Sequence, residues 1–438
     1  MSKIDLLKIN DPKGELPNSF YTHSLREEIQ YPTLSKNYKS QICIIGAGFT
    51  GLSAGLCLAE LGFEVIILEA NRVGFGASGR NGGQVGSGQR WDQEKIEKHF
   101  GLNKAKIFWE ISEDAKLEVI SRIKSYNIDC DFSSGIISTT INKYDTSQLF
   151  DEVDSLKKRY KYTKIQKLTS SELSNIIDTD VYDGGCLDSG AGHLNPLKLV
   201  QGLGVAAKKN QVEIFEKCCV KKIEYGKKNT LVLTNGYRVV CDYLIIACNG
   251  YLGSLEPYIS SKVMPINNFI IVTEVLGNDL LNSFFKNNYA VADNKFVPNY
   301  FRPSPDKRLI FGGGENYTYR FPKDIKKMVR KKMMKVYPQL NNTRIDFAWG
   351  GTLAVTRNRL PYFAKIKPNV FSASGYSGHG VALSVLAGRM IAELIKGDTK
   401  KFDFMNNIPT KSFPGNSSLQ WPLLVLGMLW YSLRDRFK

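Results

Sequence analysis

The chain has 438 residues, of which 43% are hydrophobic and 11% aromatic, and its formal net charge is +17. These values favour a globular protein of two domains and exclude an intrinsically disordered one. The basic residues are spread along the whole chain and form no stripe interleaved with aromatic residues, so we expect no nucleic acid as a partner.

The cysteines and the two terminal segments indicate the cellular location that we expect for the protein. The eight cysteines show no C-x-x-C spacing, so we expect no metal site and no disulfides, and a reducing, cytoplasmic location fits. Residues 1–39 lack the apolar core of a signal peptide, and we expect an arm that wraps the surface. The apolar run 421–433 is too short for stable membrane insertion. We expect it to dock on the protein, with a membrane surface as the alternative.

The strongest signal lies between Ile42 and Glu69. An apolar strand runs into the glycine sequence GAGFTG at residues 46–51, and a helical pattern follows that ends at Gly62. A second apolar run, 65–68, finishes on Glu69. The order of strand, glycines, helix, strand and acid predicts a complete βαβ unit that binds a dinucleotide.

Each residue of this unit has a physical role. Gly46 allows the tight turn, Gly48 lets a pyrophosphate approach the backbone, and Gly51 lets the helix pack closely on the strand. The helix N-terminus favours the phosphates. Glu69 lies at the tip of the second strand, where a carboxylate accepts both hydroxyls of an adenosine ribose and repels a 2′-phosphate. The predicted ligand is therefore FAD or NAD rather than NADP.

Hydrophobic periodicity and turn residues predict the elements between residues 70 and 247. A glycine-rich loop, ANRVGFGASGRNGGQ, occupies residues 70–84 and suits a close backbone approach to a planar ligand. Helical spacing predicts helices over 103–125 and 197–208, and Thr169 with Glu172 fits a capping box before a short helix. We predict strands at 128–132, 136–140, 212–215, 219–223, 230–233, 237–240 and 243–247.

The second half of the chain carries a hairpin and another loop-to-helix junction. Asn235-Gly236 is a two-residue hairpin signal, and the strand at 243–247 is expected to re-enter the parallel sheet beside the nucleotide. Residues 263–276 and 296–311 predict longer strands of a separate antiparallel sheet. A helix is predicted over 323–336. Residues 371–380 end a strand and open a helix that runs to about Lys396, a junction able to hold negative charge.

Taken in order, GAGFTG, Glu69, ANRVGFGASGRNGGQ, IIACNGY and GYSGHG resemble FAD-dependent oxidoreductases of the D-amino-acid oxidase superfamily. Within it the chain is most similar to the γ-glutamylputrescine oxidase group, and the similarity includes the C-terminal segments 413–415 and 429–431. This resemblance implies an α/β fold in which an FAD-binding Rossmann-like domain is interleaved with an antiparallel-sheet α+β substrate domain. The FAD domain would use residues 1–90, 185–262 and 345–438, and the substrate domain residues 91–184 and 263–344.

The resemblance also implies which residues bind FAD, which we expect to be held noncovalently. At the ADP end these are Gly46, Gly48, Phe49, Thr50, Gly51, Glu69, Ala70, Arg72 and Val220. In the loop around the flavin ring and at the strand end beside it they are Ser78, Gly79, Arg80, Asn81, Gly82, Gly83, Asn249 and Gly250. At the pyrimidine end of the ring they are Gly378, His379 and Gly380.

Residues on the substrate side are harder to assign from the sequence. Tyr300, Arg302, Trp349 and His379 are candidate catalytic residues, because they lie at predicted strand ends or beside the flavin junction. Tyr300 and Trp349 also fit ordinary packing aromatics. Arg302 or Arg80 is expected to bind a substrate carboxylate, and a surface salt bridge is the alternative for Arg302.

The expected reaction is hydride transfer from the α-carbon of a small-molecule amine or amino acid to flavin N5. The resulting imine would hydrolyse to an aldehyde or an oxo acid, and oxygen or another electron acceptor would complete the cycle. Three alternatives stay open: a dehydrogenase of N-methylated amino acids, a flavoenzyme that modifies a tRNA base, and a non-catalytic flavin-binding protein. The sequence predicts no oligomeric state.

Overall fold

Two β-sheets organise the molecule. The structure is a computed structural model that describes residues 4–277, 280–281, 284–316 and 318–414. The apolar run 421–433 and the segments 415 and 429–431 lie outside the described residues.

The first sheet is built around the predicted βαβ unit. β1 (Tyr38–Ile45) pairs in parallel with β2 (Val65–Leu68) on one side and with β10 (Arg238–Ile246) on the other. The other strands are β7 (Glu213–Phe215), β8 (Val220–Glu224), β9 (Asn229–Leu233), β16 (Tyr362–Lys367) and β17 (Val370–Ser374). The strand order is β16-β17-β10-β1-β2-β7, with the β8–β9 hairpin attached to β10. The buried residues of β1 and β2 suit a parallel sheet that is covered on both faces.

The second sheet carries the strands that the sequence placed in a separate sheet. Its strands are β3 (Gln84–Val85), β4 (Ser133–Thr140), β5 (Ile165–Thr169), β6 (Gly184–His193), β11 (Met264–Thr273), β12 (Ala290–Asp293), β13 (Tyr300–Pro303), β14 (Leu309–Asn316) and β15 (Ile345–Val355). Their order is β15-β11-β14-β13-β12-β4-β6-β3, and β5 pairs with β6. Its pairs are antiparallel except for the parallel pair of β4 and β12, which the sequence did not predict.

Helices pack on both sheets. They are α1 (Phe20–His23), α2 (Phe49–Glu60), α3 (Gln93–Phe100), α4 (Leu102–Ser125), α5 (Lys143–Arg159), α6 (Ser170–Ile177), α7 (Pro196–Lys209), α8 (Pro257–Ser260), α9 (Ile325–Val336), α10 (Gly380–Lys396) and α11 (Lys400–Asn406). α2 is buried along most of its length between α7 and α10, which explains why its sequence is apolar on all sides. Among the described residues, no helix is both long and apolar enough to cross a bilayer.

The predicted fold class is confirmed by this arrangement and by the structural neighbours reported below. The capping box is also confirmed, because Thr169 and Glu172 bond to each other's backbone at the start of α6. So is the hairpin at Asn235-Gly236, where Gly236 has a φ of +89° between β9 and β10. The predicted domain boundaries stay a prediction; β6 and β15, which lie at two of them, belong to the second sheet.

Two strand predictions are wrong. Residues 128–132 form no strand, because Asp131 has a φ of 54°, which extended backbone does not allow. Residues 296–311 are not one strand, because a turn at 304–307 separates β13 from β14. Ser304 accepts a hydrogen bond from the Arg308 amide at 2.9 Å, and Lys307 has a φ of 65°. The two strands predicted at 237–240 and 243–247 are instead one, β10, which pairs with β1 along its length.

The N-terminal arm does more than wrap the surface as predicted. Phe20 and Tyr21 of α1 are buried in the main core, and the Tyr21 side chain is fully enclosed. The Asp11 carboxylate forms an ion pair with Arg80 at 2.9 Å. The arm is therefore part of the wall that supports the loop at 77–83, a role that its polar sequence did not indicate.

Candidate functional site

One cavity, here called the strand-end cavity, lies where β1, β2 and β10 end. Carboxyl ends of parallel strands form the usual ligand-binding edge of such a sheet. Backbone and small residues make most of its wall: Ile45, Gly46, Ala47, Gly48, Leu68, Glu69, Ala70, Ala77, Ser78, Cys218, Cys219, Val220, Ala247, Cys248 and Asn249 are among the lining residues. Leu7 of the N-terminal arm also lines it.

The Glu69 carboxylate holds the turn that precedes α2. Its Oε2 accepts a hydrogen bond from the Ala47 amide at 2.8 Å, and its Oε1 accepts one from the Asn71 amide at 2.9 Å. Burial raises the pKa of Glu69, and these backbone hydrogen bonds oppose that shift. Because each carboxylate oxygen has a second lone pair, Glu69 retains acceptor capacity on the cavity side.

The glycines of this turn occupy positions where a side chain does not fit. Gly46 has a φ of +105°, in the region that favours glycine, and a Cβ there would lie 2.8 Å from the Ala247 carbonyl oxygen. A Cβ on Gly51 would lie 1.9 Å from the carbonyl oxygen of Gly46. The backbone of α2 therefore approaches β1 as closely as the fingerprint predicts.

A second cavity adjoins the first along the loop 77–83, and we call it the glycine-loop cavity. The two cavities share Gly48, Ala77, Ser78, Ala247 and Asn249 as lining residues. An elongated ligand can therefore extend from the ends of the parallel strands, past the N-terminus of α2, into the second cavity.

The loop 77–83 is held in place by side chains. The Ser78 hydroxyl accepts a hydrogen bond from the Phe49 amide at 3.0 Å, which ties the loop to the start of α2. The Asn81 amide group donates to the Ala77 carbonyl at 3.0 Å and accepts from the Gly83 amide at 2.7 Å. Tyr21 donates to the Asn81 carbonyl at 2.9 Å. The loop is therefore a fixed part of the cavity wall.

Two helix N-termini face these cavities. α2 begins after Gly48 and α10 begins after His379, and neither has a side-chain cap hydrogen bond. Unpaired amide groups and the helix dipole make such ends favourable for negative charge. Gly48 lies between the two cavities, and Gly378, His379 and Gly380 line the glycine-loop cavity.

Three polar side chains give the glycine-loop cavity an uncharged section of wall. Burial, and next the charge of Arg90, lowers the pKa of His379 to about 4, so its imidazole is neutral near pH 7. The Tyr300 hydroxyl donates to Oδ1 of Asn268 at 2.5 Å, and burial raises the pKa of Tyr300. Asn268 lines the same cavity.

Arg302 and Trp349, predicted as catalytic candidates, do not line either cavity. Arg302 is buried, and its guanidinium donates to the carbonyls of Gly82 at 3.1 Å and Leu194 at 2.9 Å. The Trp349 indole donates to the Arg80 carbonyl at 3.1 Å from behind the loop. Both side chains support the loop from its far side.

Arg80 lines the glycine-loop cavity, but its guanidinium is already engaged. It donates to the Phe75 carbonyl at 2.6 Å, to Asp11 at 2.9 Å and to the Gly350 carbonyl at 3.1 Å. Because its side chain is 1% exposed, the expected contact between Arg80 and a substrate carboxylate has little support in this arrangement.

The structure brings most of the predicted cofactor residues together. In the strand-end cavity lie Gly46, Gly48, Glu69, Ala70, Ser78, Val220 and Asn249. In the glycine-loop cavity lie Gly48, Phe49, Thr50, Ser78, Arg80, Asn81, Gly82, Gly83, Asn249, Gly378, His379 and Gly380, together with the catalytic candidate Tyr300. Four predicted residues pack behind these walls: Gly51, Arg72, Gly79 and Gly250. Of these, Arg72 forms ion pairs with Glu216 at 3.0 Å and Glu28 at 2.7 Å.

Several residues of the glycine-loop cavity were missed by the sequence analysis. They are Arg90, Asn268, Asp293, Glu315 and Arg359. Only Arg90 carried a usable signal, since it is a cation six residues after the glycine loop ends at Gln84. The others lie in strands and turns far along the chain. Within the described part of the chain, no group of three or more His, Cys, Asp or Glu residues is placed to hold a metal ion.

Comparison with known proteins gives consistent matches. Residues 41–394 match the family model described as FAD dependent oxidoreductase. The chain is 37% identical over 423 residues to γ-glutamylputrescine oxidoreductase of Escherichia coli, covering 96% of this chain and 99% of that protein. It is 36% identical over 419 residues to the probable oxidoreductase OrdL of Rhizobium meliloti, covering 96% and 97% of the two chains. Its fold is similar to that of glycine oxidase from Geobacillus kaustophilus, with a TM-score of 0.69, 19% identity, and 82% and 95% of the chains covered.

Proposed function

Since this chain belongs to the family of FAD-dependent oxidoreductases, we propose that it oxidises the C–N bond of an amine that also carries a carboxylate, of the γ-glutamylputrescine type. The observation that carries the proposal is a set of three uncharged polar side chains in the wall of the glycine-loop cavity. Asn268, Tyr300 and His379 line it with groups that accept or donate hydrogen bonds without a charge. Such a wall favours the neutral form of an amine, which is the form that loses hydride.

The cofactor of the family is FAD, and the residues of this chain fit it. The N-cap residue of α2, Gly48, has no side chain to occupy the place of a phosphate at the helix N-terminus, and it leaves open the passage between the two cavities. A Cβ on Gly48 would lie 2.8 Å from the Ser78 hydroxyl oxygen and would narrow that passage. We propose that Glu69 binds the adenosine ribose and that the loop 77–83, with the start of α10, surrounds the flavin ring.

FAD supplies the hydride acceptor, and the protein must orient it and the substrate. Tyr300 donates its proton to Asn268, so its oxygen is left to accept a hydrogen bond from the substrate amine. Neutral His379 lies at the start of α10 and adds no positive charge that would repel an ammonium group. A neutral amine needs no dedicated strong base at this step. The imine product then hydrolyses to an aldehyde and ammonia.

The substrate class rests on the relative from Escherichia coli, whose name states that it acts on γ-glutamylputrescine. The shared coverage of nearly the full length of both chains supports the same class here. Oxygen in an oxidase, or another acceptor in a dehydrogenase, would take up the electrons.

Anaerobic mixing tests the proposal. The FAD-loaded protein is mixed with γ-glutamylputrescine, putrescine, sarcosine and lactate while the visible absorbance of the flavin is followed. We expect γ-glutamylputrescine to bleach the flavin fastest, and the subsequent admission of air separates an oxidase from a dehydrogenase.

The control compound is γ-glutamylbutylamide, which lacks the terminal amine and should leave the flavin colour unchanged. Bleaching by lactate alone, or by none of the amines, would rule out amine oxidation as the activity.

A further inference from the structure

Arg90 differs from Arg80 and Arg302, the two arginines that the sequence analysis considered for substrate binding. It lines the glycine-loop cavity and is incompletely buried. Within the described part of the chain, its guanidinium forms no hydrogen bond and no ion pair, whereas Nε and Nη1 of Arg80 and Nε and Nη2 of Arg302 donate to carbonyls and Asp11. Nη2 of Arg80 is buried and has no hydrogen-bond partner among the described residues. A guanidinium with free donors at a cavity wall is suited to bind a carboxylate in a bidentate manner.

The charges around Arg90 suit a zwitterionic group. Burial, and then the charge of Arg359, lowers the pKa of Arg90, while Glu315 opposes that shift. Arg359 and Glu315 line the same cavity. The two arginines offer positive charge to a carboxylate, and Glu315 offers negative charge to an adjacent ammonium group. The free end of a γ-glutamyl group carries both.

The segment that precedes Arg90 is anchored to α4. Gln89 donates to the Phe108 carbonyl at 3.4 Å, and the Ser87 hydroxyl accepts a hydrogen bond from Lys116. Just beyond Arg90, Asp92 caps α3 by accepting from the Lys95 amide at 2.8 Å. With fixed backbone on both sides, Arg90 is presented to the cavity in a constrained position, which reduces the entropy lost on binding.

A buried polar cluster anchors Ser87. It consists of Ser87, Lys116, Tyr162 and Asp188, and the Lys116 side chain is 4% exposed. Lys116 donates to Ser87 and to the Tyr162 hydroxyl at 3.0 Å, and it forms an ion pair with Glu113 at 2.9 Å. Ser87 donates to Asp188 at 2.5 Å, and Tyr162 donates to the other carboxylate oxygen of Asp188. Removing one member leaves a buried polar group unpaired and frees the segment that leads to Arg90.

We propose that Arg90 is a specificity-determining residue that binds the substrate's carboxylate, and that the cluster around Lys116 is the anchor that positions it. This inference rests on the proposed function. The ligand chemistry is a carboxylate beside an ammonium group, at the end of the substrate away from the amine that is oxidised.

Two substrates that differ only in the carboxylate measure how much that group contributes to turnover. γ-Glutamylputrescine and N-(4-aminobutanoyl)putrescine differ only by that group, and kcat/KM is measured for both with the FAD-loaded protein. The selectivity ratio is kcat/KM for γ-glutamylputrescine divided by kcat/KM for N-(4-aminobutanoyl)putrescine. We expect Arg90→Met to lower this ratio by roughly 10- to 100-fold, because it removes a charge-assisted hydrogen bond to the carboxylate. A readout independent of turnover is the affinity for γ-glutamylbutylamide, measured by calorimetry, which should weaken by a similar factor.

Ser87→Ala tests the anchor without removing a charge. We expect a smaller fall in the same ratio, carried by a higher KM with little change in kcat. A loss of thermal stability with the ratio unchanged would show that the cluster is merely structural.

Arg359→Met is the control for the long-range electrostatic effect of a positive charge, because it removes one such charge from the same cavity wall without removing Arg90. Its effect on the ratio should be smaller than that of Arg90→Met, and an equal effect would overturn the assignment. If the wild-type protein oxidises neither substrate, the proposed function fails; if it oxidises both and Arg90→Met keeps the ratio, only the role of Arg90 fails.

Discussion

The two cavities are built in different ways. The strand-end cavity is lined by residues from 45–48, 68–78, 218–220 and 247–255, many of them glycine, alanine, serine or cysteine, and by Leu7. The glycine-loop cavity takes polar and charged side chains from places far apart in the chain, including Arg90, Asn268, Tyr300 and Glu315.

This difference matches two kinds of ligand. A dinucleotide presents the same phosphates and ribose to every protein, so backbone amides, glycines and one carboxylate suffice to recognise it. A substrate must be distinguished from its chemical neighbours, which requires side chains at set positions. We therefore expect substitutions in the first cavity to affect folding and cofactor content, and substitutions of the polar and charged side chains of the second cavity that lie outside the loop 77–83 and the start of α10 to affect selectivity.

The largest effect is expected for Gly51→Ala. The new Cβ would lie 1.9 Å from the carbonyl oxygen of Gly46, so α2 or the turn must shift, at a cost of about 3 kcal/mol or more. Urea unfolding and the FAD content of the purified protein measure this. Gly277→Ala is the control, since a Cβ there has no heavy atom within 4 Å, and its stability should stay unchanged. Equal stability of the two variants would contradict the close packing at Gly51.

Arg80 and Arg90 line the same cavity, and the loss of stability on replacing each of them shows which one has a structural role. Arg80→Met leaves Asp11 and two carbonyls without their donor, and we expect unfolding to become easier by roughly 2–4 kcal/mol. Arg90→Met breaks no hydrogen bond and no ion pair with a described residue and should change stability by less than about 0.5 kcal/mol. Thermal melting of both variants checks this. A comparable loss at Arg90 would mean that it is structural.

Glu69 tests whether the strand-end cavity holds the adenosine end of FAD. Glu69→Ala removes an acceptor from the ribose hydroxyls and from the Ala47 and Asn71 amides, so FAD should bind roughly 5- to 150-fold more weakly. Titration of the apoprotein with FAD measures the dissociation constant. Glu69→Gln, which keeps one acceptor oxygen, should lose less affinity; unchanged affinity in Glu69→Ala would place the ribose elsewhere.

The smallest effect concerns His379 and pH. Its pKa is lowered from 6.5 to about 4, so the unfolded chain binds a proton at a higher pH than the folded protein does. Its contribution to stability is therefore full above pH 6.5 and is lost as the pH falls towards 4. Between pH 7 and pH 5 the free energy of unfolding should fall less in His379→Asn than in the wild type, by on the order of 1 kcal/mol. Water in the cavity keeps this difference below the value that complete burial of the imidazole would give.

Thermal melting of His379→Asn and of the wild type at both pH values gives the comparison. His193 has a pKa lowered to about 4 by burial as well, so part of the pH dependence should remain in the variant. An identical pH dependence of the two proteins would show that His379 is not held neutral.

The sequence by itself determined the cofactor end of this protein. The βαβ unit with Glu69 at its strand tip and the glycine loop are contiguous, and both follow from backbone geometry that only certain residues allow. The predicted family and its cofactor, FAD, are confirmed by the matches. The re-entry of the strand at 243–247 into the parallel sheet also followed from the sequence, and as part of β10 this strand pairs with β1.

Only the tertiary structure decided which side chains are available to a substrate. Arg80, Arg90 and Arg302 are equivalent in sequence, since each is a cation near a loop or a strand end. Asp11 and Gly350 accept from Nη1 of Arg80, and Leu194 accepts from Nη2 of Arg302, from positions far away in the chain. Whether a guanidinium is satisfied depends on such distant partners, and no local pattern of residues encodes them.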